Sequence, residues 1–543
     1  MGQFLSVINT IRLAIKTLLS MNKDLQDLLR RANSSPGLPV PNPTEPYWIQ
    51  KALHPELLHR QSERFPTTAD VVIFGSGITG AAIARSLLHE SSRKAPSAPK
   101  DEQSKLSGPD LPRVVVLEAR YLCSGATARN GGHIKSSPHE LFDHLRRQKM
   151  SAERAAALVR FQLAHLDVLN ELCEAEGWDV AECRKVETVD MYLKTEDRDK
   201  AFRLVREVQE AIPELYIKTW NAEEAQEEFK TNSYVKGAIS YTAGALWPFR
   251  LVSSVWRDLL TNYSSRVLSL ETDTPVTSVD LAAPGSSAFA YKVTTGRGVI
   301  QCNHVVHATN AFATQYIPGL KNKMTGALAH MTAQRPSRLF PSNSGERSWS
   351  LIYGSAFDYA TQRPSEDGKP GDIMLGGGFS RSEGEGLSTV GVWDDSRLDA
   401  LPIAHLGGIF PTIFEPNWGA ESEGGGRMKA VWSGIISPTG DLRPFVGRLD
   451  PKLTGREHKM AEDKRGVKPG EWISAGYSGD GMVWAWLSGT AVGLMLAGSG
   501  TEDVPPSPGI PGGRLASWFP NELEPSLERV KKADLQNLLE TLL

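Results

Sequence analysis

Apolar residues in this chain change their period along its length. Residues 71–74 are apolar without interruption, the pattern of a strand buried on both faces. Residues 81–88 then read as a helix, and residues 113–117 as a second buried strand ending at Glu118. Between them, residues 91–112 are rich in Ser, Lys, Pro and Asp with no period, which predicts an exposed, mobile insertion. Further on, residues 150–178 place Leu158, Phe161, Val168, Leu169 and Leu172 on one helical face. Residues 198–212 and 246–260 read as helices, the latter entered through Trp247-Pro248, and 482–497 as a long apolar helix. Strand patterns fall at 186–193, 276–280, 291–294, 301–308, 373–378 and 471–476. Strands alternating with helices predict a parallel α/β core. The stretch 311–430 is more sheet-like and predicts a second domain of α+β type.

Ahead of this core, Phe4, Ile8, Ile11, Ile15, Leu18, Leu25 and Leu29 form one apolar helical stripe. Five prolines between Ser34 and Pro46 then predict an extended strap. The stripe predicts a helix over residues 1–33 docked on the body of the protein. The alternatives are peripheral membrane contact through residues 1–30 and a transit peptide. Met1-Gly2 with Ser6 fits the N-myristoylation pattern, and acidic residues are absent before Asp24. The compartment is accordingly cytoplasmic, membrane-associated or mitochondrial.

Composition narrows the function. A chain of 543 residues is long enough for two or more domains, and a formal charge of −3 gives no reason to expect nucleic acid as a partner. Cys123, Cys173, Cys183 and Cys302 have no C-x-x-C spacing, which fits a reducing compartment and suggests no metal site. No apolar stretch reaches the roughly 18 residues that span a bilayer.

Candidate chemistry starts at residues 70–80, Asp-Val-Val-Ile-Phe-Gly-Ser-Gly-Ile-Thr-Gly. A strand, a glycine turn and a helix N-terminus make a dinucleotide-binding βα turn. Gly75 allows the turn, Gly77 lets the backbone approach a pyrophosphate, and Gly80 lets helix and strand pack closely. The helix dipole faces the negative charge. Glu118 stands where an acid holds ribose hydroxyls, and its charge disfavours a 2′-phosphate, so NADP is a poor candidate. It lies further from Gly80 than the usual spacing of about 20 positions, an excess the polar insertion absorbs. Residues 119–133 follow: Ala119, Arg120, Tyr121, Leu122, Cys123, Ser124, Gly125, Ala126, Thr127, Ala128, Arg129, Asn130, Gly131, Gly132 and His133. Small residues, hydroxyls and paired glycines suit backbone passing close to a flat, phosphorylated ligand.

On these residues the chain resembles the D-amino-acid-oxidase-type FAD-dependent oxidoreductases, the superfamily of sarcosine, glycine and γ-glutamylputrescine oxidases. The likeness is greatest to fungal members with an Arg-Asn-Gly-Gly signature. Three further segments match in order: 305–311, 437–447 and 475–482. The resemblance covers residues 66–500 and is weaker in the middle. It implies a discontinuous FAD-binding domain of Rossmann (glutathione-reductase-like) type over 66–150, 245–311 and 430–500. Residues 151–244 and 312–429 would form the α+β substrate domain, and 501–543 a tail with a helix.

The resemblance also implies roles. Gly75, Gly77, Ile78, Thr79 and Gly80 would hold the pyrophosphate, with Glu118, Ala119 and Arg120 at the adenosine end. Ser124, Gly125, Ala126 and Thr127 would meet pyrophosphate or ribityl oxygens, and Asn130, Gly131, Gly132 and His133 would run beside the flavin ring. Val276 would meet the adenine, Ala308 and Thr309 would lie beneath the cofactor, and Gly479, Gly481 and Met482 would face the flavin N1–C2=O edge. The implied reaction is oxidation of a C–N bond in a small amine or amino-acid-like substrate, with molecular oxygen as acceptor giving hydrogen peroxide. A tailoring oxidase or dehydrogenase on a specialised metabolite and a non-catalytic flavin protein are the alternatives. His133 and Lys135 are the candidate catalytic residues beside the flavin, His133 also as a covalent attachment point. Tyr353, Asp358, Tyr359 and Arg363 are candidates to clamp substrate. Arg443 is a candidate either for binding a substrate carboxylate or for a buried ion pair, and Trp484 and Trp486 read as core. The oligomeric state is left open.

Overall fold

The structure is a computed structural model that describes residues 26–283, 288–337, 339–341, 343–354, 356–366, 368–419 and 426–536. The apolar stripe up to Leu25, with its membrane and acylation readings, lies outside these residues. Two sheets organise the rest. The first has the strand order Phe445–Arg448, Gly470–Ala475, Gly298–His307, Thr68–Phe74, Val114–Leu117 and Leu268–Glu271, with the hairpin Val276–Leu281/Tyr291–Thr295 added to Gly298–His307. Its central strands are parallel, with Val71 beside both Val114 and His304. Val71 to Phe74 are almost wholly buried, as their unbroken apolar run requires. The helices Ile78–Lys94 and Ala485–Leu496 pack together beside this sheet. Gly489 and Gly493 make the approach possible: a Cβ would lie 2.8 Å from the Thr79 carbonyl at one and 2.7 Å from the Ile83 carbonyl at the other.

The second sheet runs Met428–Ile436, Ala327–Gln334, Ile373–Gly377, Ala356–Gln362, Arg347–Tyr353, Arg184–Tyr192, Ala238–Ala245 and His133–Ile134, with Lys218–Trp220 added to Ala238–Ala245. It is mainly antiparallel, with one parallel pair between Arg347–Tyr353 and Arg184–Tyr192. Two of its strands, His133–Ile134 and Met428–Ile436, come from chain that adjoins first-sheet segments. One face is covered by the helix Ala400–Phe414, which buries Leu406, Phe410 and Phe414 against Phe340, Trp349 and Trp418. Nothing in the sequence pattern predicted this helix. Gly407, Gly408 and Pro411 read as breakers, and burial against the sheet outweighs the N–H that Pro411 lacks.

The insertion 91–112 differs from its expectation as a free loop. Leu106 N donates to the Asn262 carbonyl at 2.8 Å, Ser264 N donates to the Leu106 carbonyl at 3.0 Å, and Lys105 Nζ reaches the Leu260 carbonyl. The carbonyls at the end of helix Pro248–Asn262 need partners, and the loop supplies them. The proline-rich strap is tied in as well: Gly37 N donates to Gln315 Oε1, and the Val40 and Thr44 carbonyls accept from Arg120 and Arg129. Among the described residues no helix is long and apolar enough to cross a membrane. The four cysteines are unbridged.

Candidate functional site

Four segments distant in sequence meet at the end of the first parallel strand. Gly75 has φ +102°, and a Cβ there would stand 2.7 Å from the Ala308 carbonyl. At Gly77 a Cβ would lie 2.8 Å from Thr127 Oγ1, and at Gly80 it would run into the Gly75 carbonyl. Ile78 N donates to Thr127 Oγ1 at 2.9 Å. Thr79 Oγ1 shares a hydrogen bond with the Tyr477 hydroxyl, and Asn310 Oδ1 accepts from Gly476 N, so the last glycine turn is drawn onto the first. Glu118 accepts from Ser76 N and Oγ with one oxygen and from Arg120 N with the other. The Glu118 carbonyl takes the Thr274 amide, which brings Val276 close. The Val276 carbonyl itself accepts from the Tyr316 hydroxyl.

What these segments leave open fits FAD. The helix Ile78–Lys94 starts at Gly77 with no acidic residue in its first turn, so its positive end suits a pyrophosphate, although its first amide, Ile78 N, is already taken by Thr127 Oγ1. Gly125, Ala126 and Gly479 remain exposed, and a Cβ at Gly125 or Gly479 would touch nothing within 4 Å. Thr309 Oγ1 is buried without a protein partner among the described residues. A track of bare backbone between a helix N-terminus and an unpaired hydroxyl suits a long phosphorylated ligand.

The Arg-Asn-Gly-Gly run owes each residue to a contact. The Arg129 guanidinium is buried and donates to the carbonyls of Ser124, Ser433 and Thr44. Asn130 caps its own loop, donating to the Ala126 and Thr127 carbonyls and accepting from Gly132 N. A Cβ at Gly131 would lie 2.5 Å from the Tyr359 ring, and Gly132, at φ +66°, has no room for one beside the Leu246 carbonyl. Asp395 holds the cluster together: Arg120 forks onto both of its oxygens at 2.9 Å, and Arg129 stands 3.3 Å away. The Arg120 side chain is thus committed to Asp395. Sequence reasoning missed this acid, because an Asp in a polar loop carries no signal of two buried arginines.

The strand His133–Ile134 lays His133 and Lys135 against the second sheet. His133 Nε2 meets Ser348 Oγ at 2.9 Å, and its ring stacks with Tyr359 at a centroid distance of 6.2 Å. Burial pushes the imidazole down to about 3, with the Lys135 charge adding to it, so His133 is neutral near pH 7. Lys135 Nζ donates to Asp190 at 2.6 Å and to Ser350 at 2.8 Å. Burial pushes the Asp190 carboxyl up, but Lys135 outweighs that and holds it below its usual range. Tyr241 donates to the second Asp190 oxygen at 2.9 Å. Asp480, in the turn between Gly479 and Gly481, is raised to about 6 by burial, against the opposing charge of Lys135, with Glu140 adding to the rise. Asp480 is exposed and His133 half-buried, and the turn that holds Asp480 adjoins the strand that carries His133.

Tyr353 stands apart from this group. Strand alternation puts Ser348 and Ser350 toward His133 and Lys135, and Trp349, Leu351 and Tyr353 on the opposite face. There Tyr353 donates to Asp358 at 3.0 Å, beside His405 at 2.7 Å from the same oxygen. Tyr359 faces Gly131 and Met331, while Arg363 pairs with Glu182 at 2.7 Å. For Arg443 the geometry selects the ion pair: it donates to Asp441 at 2.8 Å, and Arg529 of the C-terminal segment shares that acid. Trp484 and Trp486 are buried, the latter donating to the Gly509 carbonyl.

The sequence matches the family described as DAO, FAD dependent oxidoreductase, over residues 70–493. No curated protein matches it. Among solved structures, glycine oxidase from Geobacillus kaustophilus is similar at 18% identity and a TM-score of 0.55, over 79% of this chain and 95% of that one. L-proline dehydrogenase from P. horikoshii is similar at 18% identity and a TM-score of 0.57, over 87% and 100%. L-α-glycerophosphate oxidase from Mycoplasma pneumoniae, with FAD bound, is similar at 14% identity and a TM-score of 0.53, over 82% and 98%. With its glycine turn at a helix N-terminus and a family match over most of its length, the chain belongs to the DAO family of FAD-dependent oxidoreductases, with a Rossmann-type domain for that cofactor.

Proposed function

We propose that this enzyme oxidises a C–N bond of an amine or amino-acid-like substrate to an imine, with O₂ as acceptor and hydrogen peroxide as product. The observation that carries the reading is the convergence of the glycine turns at Gly75–Gly80, Gly131–Gly132 and Gly476–Gly481, with the stacked, half-buried rings of His133 and Tyr359 beside Gly131. Bound FAD supplies a two-electron acceptor for a C–H bond next to nitrogen and passes the electrons on. The chain's own residues bind and orient. The N-terminal turn of helix Ile78–Lys94, with Gly75, Gly77 and Gly80, would hold the pyrophosphate, Glu118 the ribose, and Ser124, Ala126 and Thr127 the neighbouring oxygens. Amides of Gly479, Gly481 and Met482 would stabilise negative charge at the flavin N1–C2=O edge. Neutral His133 accepts or donates a hydrogen bond without competing for substrate charge. Two of the similar structures are named for nitrogen-bearing substrates, glycine and proline.

The segments 66–150, 245–311 and 430–500 would form the FAD domain, and the Arg129–Gly132 run would place the chain with the fungal members of the family. A second reading, a tailoring oxidase or dehydrogenase, draws support from the glycerophosphate oxidase, which shares the fold and is named for a substrate without nitrogen.

The test is to purify the flavin-loaded protein and mix it anaerobically with a panel of amines and amino acids. Bleaching of the flavin, with peroxide formed on admitting air, is the expected result. A yellow protein bleached by no nitrogen compound refutes C–N oxidation, and bleaching without peroxide refutes O₂ as acceptor.

A further inference from the structure

We propose that Trp48 is a positioning residue for the flavin, so that the strap ahead of the family region belongs to the cofactor site. The proposal rests on the reading that residues 130–132 run beside the flavin ring. The family match begins at residue 70, and Trp48 lies outside it. Trp48 is almost wholly buried in the short turn Tyr47–Ile49 that follows the proline-rich strap. Its Nε1 donates to the Asn130 carbonyl at 2.6 Å, and its own carbonyl accepts from Trp247 Nε1 at 2.8 Å. The Trp48 and Trp247 rings meet edge-on at a centroid distance of 5.2 Å, and Tyr47 packs edge-on against Trp48 at 5.6 Å, which fixes the plane of the donating indole.

The neighbouring carbonyls are held in the same way. Trp432 Nε1 donates to the Arg129 carbonyl at 2.9 Å, Thr361 Oγ1 to the Gly131 carbonyl at 2.6 Å, and Leu246 N to the Gly132 carbonyl at 2.9 Å. Four successive carbonyls thus each take a donor from outside the loop, which sets its peptide planes one by one. The peptide between Asn130 and Gly131 is trans, so its C=O and N–H point in opposite directions. By holding the Asn130 carbonyl, Trp48 therefore aims the Gly131 N–H. That N–H has no acceptor among the described residues, although Gly131 is buried. A buried amide without a protein partner is rare, and is a donor offered to a ligand. On a loop that runs beside the flavin, that ligand is the flavin ring.

The test compares two full-length variants. Trp48→Phe keeps an aromatic ring between Tyr47 and Trp247 but has no N–H to donate. Tyr47→Phe removes a strap hydroxyl that binds Asp372 and not the loop. Trp48→Phe should bind FAD about fivefold more weakly in a fluorescence titration, the weight of one buried hydrogen bond. Its bound flavin should also have a lower midpoint potential, because a donor is no longer held against the negative charge of the reduced ring. Tyr47→Phe should match the wild type in both. Wild-type affinity and potential in Trp48→Phe, or equal changes in Tyr47→Phe, overturn the inference. If Trp48→Phe does not fold, amide exchange of the wild type decides: FAD should slow exchange in segments 44–50 and 129–133 together. Protection of 129–133 alone overturns the inference. Protection of neither overturns the placing of the loop beside the flavin as well, which tells the two failures apart.

Discussion

Replacing Asp395 tests whether the strap, the flavin-facing loop and the second sheet are held by one charge. Asp395 is buried and takes both Arg120 N–H groups at 2.9 Å, with Arg129 Nε at 3.3 Å. Removing one partner of a buried ion pair costs about 3–5 kcal/mol, because the remaining charge is left without compensation. Here two guanidinium groups would be left. Their N–H groups keep carbonyl acceptors at Val40, Ser124, Thr44 and Ser433, so hydrogen bonding survives and the loss is mainly Coulombic. That favours the lower end, about 3 kcal/mol. With an unfolding entropy of about 2.1 cal/mol/K per residue, a chain of this length loses roughly 1 kcal/mol per degree, so Asp395→Ala should melt about 3 °C lower. Asp395→Asn, which keeps an acceptor but no charge, should fall nearly as far. The loop 124–132 is anchored through the same arginines, so FAD should also dissociate more readily in a fluorescence titration. If both variants melt within about 1 °C of the wild type with unchanged FAD affinity, the charge does not hold these segments.

Three other outcomes follow from the same geometry. Gly132→Ala, at φ +66° against the Leu246 carbonyl, should cost about 2 kcal/mol or more and yield protein with less than stoichiometric FAD by absorbance. Lys135→Ala leaves Asp190 buried without its countercharge, with only the Tyr241 hydroxyl donating to it, and should destabilise by about 3 kcal/mol; Lys135→Ala combined with Asp190→Asn should recover much of that loss in a denaturant double-mutant cycle. Because the Asp480 carboxyl is raised to about 6, its charge is present above that pH and lost below it. A carboxyl resonance followed by NMR should therefore titrate near pH 6 in the wild type and be missing in Asp480→Asn; titration of Asp480 in the usual Asp range refutes the burial argument. The facing groups are Lys135, Asp190, Glu140, His133 and Tyr359. Of these, His133 is pushed down to about 3, Asp190 is held low by Lys135, and Tyr359 is raised to about 12 by burial, so none of the three changes charge near pH 6.

By itself the sequence determined what depends on neighbours along the chain. The apolar run at 71–74, the glycines at 75, 77 and 80, and the 3.6-residue period of 150–178 are local signals, and each appears as the element it predicted, the last as the helix Ala152–Ala175. Ordered glycine blocks also carried the family, since backbone approaching a cofactor leaves few residue choices. Only the tertiary structure decided the pairings. His133–Ile134 is too short to show a period, so its place on the second sheet comes from the backbone of Gly244 and Ala245. The helix Ala400–Phe414 exists because a sheet face buries it against its own glycines and proline. Tyr353 and Tyr359 look equivalent along the chain and lie on opposite faces, because strand register assigns one side to the helix and the other to His133. Asp190, Asp395 and Asp480 are single acids in unremarkable surroundings until the fold sets one on a lysine, one between two arginines, and one alone. A charge acts through whatever lies within a few ångströms in space, and for these three that company comes from segments far away in the chain.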